Sequence, residues 1–377
     1  MNTMTTNHTA VQTPTKWRSI LLNGSLIVFG FMVPLVLGEI VARMTHSGLA
    51  EFDDHEFRRS AWSFRPNSHQ DSYIGVPVYI NNLGLRGSDT TLEKPPGVFR
   101  ILGVGDSITF GYGVRVEDTF LSVLKEDLNR SAPSNLRYEV LNAGDPATGL
   151  EYYTHFIEHE AQTMHPDLIV LCLALNDIDP QLDPEPKEGQ VDRSFSRRVN
   201  GLLLKYSQLY DVLYVQTKSL FYRLNILHLK DNDGFGFLAI EPPSSAQDRA
   251  RAMVNQYIGR IANFTRLNHE RLAIVVFPVE PQLSERALQL YAQQLHLYFG
   301  PEVLAGQPQR WIEQMGASDG VPVLDLLPAL RAGDNGQLFL RNRSISFDPV
   351  HPSPAGHRLA GDAIDRFLKS PTVNLVP

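Results

Sequence analysis

Apolar residues along the chain fall into short unbroken runs that alternate with longer stretches of helical period. FRILGVG (99–105), YEVLNAG (138–144), DLIVLCLALND (167–177), RLAIVVFPV (271–279) and VPVLDLL (321–327) have the length and continuity of strands. Between them, VEDTFLSVLKEDLNR (116–130), LEYYTHFIEHEAQTM (150–164) and AQDRARAMVNQYIGRIANFTRL (246–267) read as amphipathic helices, and PAGHRLAGDAIDRFLK (354–369) closes the series. A strand that is apolar at nearly every position is buried on both faces. The alternation therefore predicts a parallel sheet covered by helices on each side, with any site at the C-terminal ends of the strands.

The pattern changes before the first of these strands. Twenty uncharged residues, SILLNGSLIVFGFMVPLVLG, separate Arg18 from Glu39, enough for about 30 Å of helix. Residues 1–18 hold Lys16 and Arg18 and no acid, whereas Glu51, Asp53, Asp54 and Glu56 follow soon after. Basic residues on the near side favour a cytoplasmic N-terminus, with the bulk of the chain outside. A cleaved signal peptide is the rival reading, but the small-x-small site Gly48-Leu49-Ala50 lies far beyond the apolar run. The expected organisation is a cytoplasmic tail (1–18), a membrane anchor (19–42), a stalk and small β-rich approach (43–97), and a main domain (98–370). Within the approach, YIGVPVYINNLGLRG alternates like a strand and carries an NNLG turn.

An insertion at 180–245 interrupts the main domain. It opens polar and proline-rich, DPQLDPEPKEG, and then turns apolar and helical, LLLKYSQLYDVLYVQTKSLFYRLNILHL. Lys205, Asp211, Lys218 and Arg223 argue against a second membrane span. Helices padding the core, or a cap over a substrate cleft, both fit. The formal net charge of −7 leaves no electrostatic footprint for nucleic acid. A single cysteine, Cys172, excludes an internal disulfide and a cysteine-based metal cluster.

Four polar segments fall on one rim of such a sheet. Gly105-Asp106-Ser107 follows the first strand, Gly144 ends the second, Asn176 ends the third, and SFDPVHPSPAGH brings Asp348 and His351 just before the last helix. A serine hydroxyl becomes a nucleophile when a base takes its proton, and a histidine base needs a third group to fix its tautomer. Asp348 and His351, three apart in one proline-flanked loop, are of the types that supply orienter and base. The Ser107 and Gly144 N–H groups and the Asn176 amide are of the type that stabilises a developing oxyanion.

With these four segments in this order, the chain resembles the SGNH hydrolase family, also called the GDSL esterases and lipases. The likeness runs over about residues 98–370, and VLNAG and DPVHPSPAGHRLAGDAI are closest to the family's wording. The resemblance implies a three-layer α/β/α sandwich around a parallel, flavodoxin-like sheet of about five strands. It implies Ser107 as nucleophile, Asp348 and His351 as the rest of the triad, and an oxyanion hole of the Ser107 amide, Gly144 and Asn176. No metal or organic cofactor is implied. Two departures stand out: Ala174-Leu175-Asn176-Asp177 replaces the usual G-x-N-D, and Asp145-Pro146 follows Gly144 where an apolar residue and then glycine are commoner. An acid there would either disfavour anionic substrates or cap the helix starting near Gly149.

Other motifs carry less. His155-Phe156-Ile157-Glu158-His159 spells H-x-x-E-H, but on a helix expected to cover the sheet. Ser122-Val123-Leu124-Lys125 matches S-x-x-K without its companion segments, and the G-x-S-x-G elbow is absent around Ser107. His357 reads as a helix residue beneath the loop, and Phe110 and Tyr112 either wall an acyl pocket or pack. The expectation is a single-pass, membrane-anchored serine esterase of the cell envelope, acting on short acyl or O-acetyl esters such as an acylated glycan, outside the cytoplasm, alone or beside envelope polysaccharide machinery. An O-acetyltransferase for exported polysaccharide and a non-catalytic glycan-binding protein are the alternatives.

Overall fold

The computed structural model describes residues 16–45, 58–60, 63–73, 75–178, 245–295, 301–341 and 348–377, with a few single positions between 199 and 217. Its first element is α1 (Lys16–Thr45), which contains Pro34. The stretch Asn23–Met44 is long and apolar enough to cross a membrane or to act as a signal sequence. Glu39, near its end, accepts hydrogen bonds from Ser207 Oγ (2.8 Å) and the Leu209 N–H (3.0 Å). Most of the 180–245 insertion lies outside the described residues.

Two short antiparallel hairpins follow, β1 (Arg58–Ser60) with β2 (Ser63–Phe64) and β3 (His69–Tyr73) with β4 (Val76–Tyr79). NNLG does turn the chain, with Gly84 at φ +80° and the Asn81 side chain accepting from the Leu83 and Leu85 N–H groups. The turn feeds a docking segment: Arg86 pairs with Ile80 on one side and with Asn142 on the other.

The main sheet has the order β6–β5–β7–β8–β9 and is parallel throughout. Its strands are β5 (Val98–Gly105), β6 (Arg137–Gly144), β7 (Leu168–Ala174), β8 (Arg271–Phe277) and β9 (Val323–Asp325). Alternate residues serve opposite faces. In β7, Ile169, Leu171 and Leu173 enter one core, while Leu168, Val170, Cys172 and Ala174 enter the other. The first core is closed by α4 (Leu150–His159), α5 (Ser245–Leu267) and α7 (Gln307–Asp319). The second is closed by α3 (Phe120–Arg130), α8 (Leu327–Ala332) and α9 (Pro354–Lys369). Two further helices complete the order, α2 (Ser107–Phe110) and α6 (Glu285–Leu295). This is the expected α/β/α sandwich.

Two sequence boundaries move for local reasons. VPVLDLL shortens to three residues because Asp325 Oδ1 accepts the Leu327 N–H, and Pro328 starts α8. The helix expected over 150–164 ends at His159 and continues as a 3₁₀ turn, Ala161–Met164, closed by His165 at φ +49°. Strand order reverses at β5: the chain leaves it by α3 on one face, whereas β6 and β7 are followed by α4 and α5 on the other. A crevice opens at the C-terminal end of the strand where connections part in this way.

Candidate active site

That crevice holds the segment after β5. Asp106 caps α2, its Oδ1 accepting the Ile108 N–H at 2.8 Å, and Gly111 at φ +89° ends the helix after one turn. Ser107 is thereby set at the rim. From the other side, Ser353 and Pro354 start α9 and fix the end of the loop that brings Asp348 and His351. Ser107 Oγ lies 2.8 Å from His351 Nε2, and His351 Nδ1 lies 2.7 Å from Asp348 Oδ2. An ionised carboxylate only accepts, so Nδ1 carries the imidazole proton and Nε2 is left to accept from the serine. Asp348 Oδ1 accepts from the Val350 and His351 N–H groups, both at 2.9 Å.

Electrostatics follow from this packing. Burial raises the Asp348 carboxyl, but the adjacent imidazole and two backbone donors outweigh it and hold the group below its ordinary range. Burial alone would depress His351; Asp348, with a smaller contribution from Asp106, instead raises it above the usual imidazole value. Asp106 is itself pushed up by burial, against the opposing pull of His351, the Ile108 N–H and the Asn176 amide.

A second buried network sits behind the histidine loop. Glu280 donates its N–H to Pro349 O at 2.8 Å, and its carboxylate bonds Tyr291 and Arg341. Arg341 reaches on to Asp348 O at 3.4 Å. Tyr112 covers His351 from the front as a stacked ring.

Asn176 lies in a 3₁₀ turn, Leu175–Ile178, directly after β7. Its amide bonds Asp106, and its Oδ1 is buried without a partner among the described residues. Asp177 pins the turn, accepting from Tyr153 Oη at 3.0 Å and the Ala174 N–H at 3.1 Å. Ala174, the departure from the usual glycine, faces the second core.

Gly144 sits against α2. A Cβ there would stand 2.0 Å from Phe110 N, so this contact requires glycine. Its N–H donates to Asn142 Oδ1 at 2.9 Å, and Asn142 Nδ2 donates to Thr109 O at 2.9 Å. In this state the Gly144 donor is engaged within the protein. Helix α4 begins at Gly149 without a side-chain cap, so Asp145 is not its cap.

Other sequence motifs resolve structurally. His155 and His159 lie on α4, and Glu158 between them pairs with Arg260 Nε at 2.6 Å. His357 is buried: its Nδ1 accepts the Phe120 N–H at 3.2 Å, and its ring stacks on Phe120. Burial, with Arg86 and His351 nearby, depresses it to about 3. Phe110 is wholly buried core, beneath the Arg86 guanidinium. Sequence reasoning missed Asn142 and Arg86. Asn142 was visible as a polar residue in an apolar strand; Arg86, in a loop, gave no signal.

A parallel α/β sheet with a hydrogen-bonded serine, histidine and aspartate at its carboxyl rim is an arrangement of the serine hydrolases. The family model of the GDSL-like lipase/acylhydrolases matches residues 101–364, and the chain belongs to that family. Solved structures of similar fold include an acetylxylan esterase from Geobacillus stearothermophilus, 14% identical, covering 72% of this chain and 94% of that one at a TM-score of 0.40. A lipase/acylhydrolase from Enterococcus faecalis is 18% identical, covering 72% and 95% at 0.36. TesA is 14% identical, covering 74% and 99% at 0.40. No curated protein sequence matches the chain.

Proposed function

We propose that this hydrolase removes short acyl groups, O-acetyl foremost, from a glycan of the cell envelope. The single observation that carries the catalytic part is the Ser107–His351–Asp348 hydrogen-bond line. Ser107 Oγ attacks the ester carbonyl carbon while its proton passes to His351 Nε2. The oxyanion is held by the Ser107 N–H and the Asn176 amide, and by the Gly144 N–H if substrate draws it from Asn142. Collapse expels the alcohol, which takes the proton from His351. Water, deprotonated by the same nitrogen, then releases the carboxylic acid and restores the serine.

The location rests on α1. Residues 1–18 form a cytoplasmic tail, 19–42 the anchor and 43–97 the approach, with 98–370 outside the membrane; basic residues before the span and acids after it support this orientation. An envelope glycan is the substrate such a tether brings within reach.

A fluorophosphonate probe tests the chemistry on the full-length chain in detergent. Wild type should label at the serine, and Ser107→Ala should not, with hydrolysis of acetyl esters falling at least about 10⁴-fold. Equal labelling of both proteins would overturn the assignment. Strong labelling with turnover only when a glycan acceptor is added would make the enzyme an acyltransferase.

A further inference from the structure

The β3–β4 hairpin lies outside the span matched by the family, yet it borders a hollow of about 530 Å³ that Val116 also lines. One wall of the hollow is aromatic. Tyr79 is 54% exposed and lies nearly parallel to His69, ring centroids 6.3 Å apart at 16°. Around this aromatic face stand Asn67, Asp71 and Asp89. No lysine or arginine lines the hollow, and Asp71 has no ion-pair partner among the described residues.

This chemistry selects its occupant. Two carboxylates without a cation repel an anion and accept hydrogen bonds from hydroxyl groups. The exposed ring offers an apolar face that sheds water when a flat apolar surface stacks on it. A sugar ring presents both features, hydroxyls at its edge and a C–H face. A fatty acyl chain would offer the carboxylates no donor beyond the Asn82 N–H that Asp89 already accepts, and a uronate chain would meet them with like charge.

Position ties the hollow to the reaction. Val116 lines it, and only four residues along the chain Tyr112 stacks on His351; their Cα atoms are therefore at most about 14 Å apart. Arg86, next to the lining residue Gly87, is buried and donates to Gly111 O and Val114 O, both at 2.6 Å. The hairpin and the loop over the histidine are thus held as one body.

We infer that this hollow is a subsite for the glycan part of the ester substrate, and that it takes a neutral, hydroxyl-rich sugar chain running from Ser107 across the 110–116 loop. The inference rests on the glycan-ester reading above, and direct binding separates the two. Full-length protein would be titrated with xylohexaose, mannohexaose, cellohexaose, an N-acetylglucosamine hexamer and a galacturonate hexamer. At least one neutral chain should bind both wild type and Ser107→Ala. Tyr79→Ala should weaken that binding about tenfold, Tyr79→Phe should retain it, and Asp71→Asn should weaken it by a smaller factor. In turnover, the ratio of kcat/KM for the acetylated form of that chain to kcat/KM for phenyl acetate should fall about tenfold in Tyr79→Ala, through KM. Binding of no neutral chain, preference for the galacturonate, or equal binding by Tyr79→Ala would overturn the subsite. Binding as described without hydrolysis of any ester would leave the subsite standing and overturn the catalytic reading instead.

Discussion

Tyr112 lies flat against His351, with ring centroids 4.2 Å apart and 24° between the planes. The imidazole is thus held on two sides, by Asp348 at Nδ1 and by an aromatic face. Stacking of this kind contributes about 1 kcal/mol beyond area burial.

Removing that face should loosen the imidazole without changing its charge. Tyr112→Ala is expected to lower kcat about tenfold, and Tyr112→Phe to keep most of the activity. An equal loss in both would assign the effect to the hydroxyl, and steady-state kinetics on phenyl acetate would tell the two apart.

The proposed mechanism needs His351 neutral, and its carboxylate neighbours hold the proton on to higher pH than an ordinary imidazole. The kcat/KM profile should therefore rise through an acid limb centred above about 6.5. Asp348→Asn removes the main cause of the upward shift. Its limb should move to lower pH while kcat drops by about 10²–10⁴-fold, and a limb that stays in place would assign it to another group.

Gly144 and Asn142 test how the nucleophile helix is seated. Asn142→Ala would leave the Gly144 N–H and the Thr109 carbonyl without their side-chain partner, at a cost of about 1–3 kcal/mol. Gly144→Ala should be worse, because the new methyl meets backbone at Phe110 and not a yielding side chain. Urea denaturation ranks the two; equal stability of Gly144→Ala and wild type would refute the contact.

Much of this was legible in the chain. The unbroken apolar runs gave the strands, and their placement gave the rim on which Ser107, Asn176 and the 348–351 loop meet. Asp106 before α2 and Ser353-Pro354 before α9 are caps of types that helix starts favour, and the sequence reading did not use them. The helices α6, α7 and α8 were not read, because each is short and too few apolar positions fit within its length to display a helical period. Arg86 could not be found, since its role depends on carbonyls 24 to 28 residues away. Nor does any spacing announce that the Gly144 N–H is engaged by a neighbour two residues back in its own strand.

His357 supplies a stability test independent of catalysis. Its folded value of about 3 lies below the ordinary 6.5, so the unfolded chain binds the extra proton between the two. The contribution is fully present above about 6.5 and is lost as pH falls towards 3, with a slope of at most about 1.4 kcal/mol per pH unit. His357→Gln should flatten the stability curve across that window, read by denaturant melts at several pH values. An unchanged slope would mean that His357 does not titrate in this way.

Cys172 gives the protein a built-in clock. It is the chain's one thiol, sealed in the central strand, and burial pushes it far above the ordinary thiol range. An alkylating reagent therefore reacts only in molecules whose sheet has come apart, and the rate of labelling counts those openings. No tag or engineered reporter is needed to time how often the rim that carries Ser107 ceases to exist.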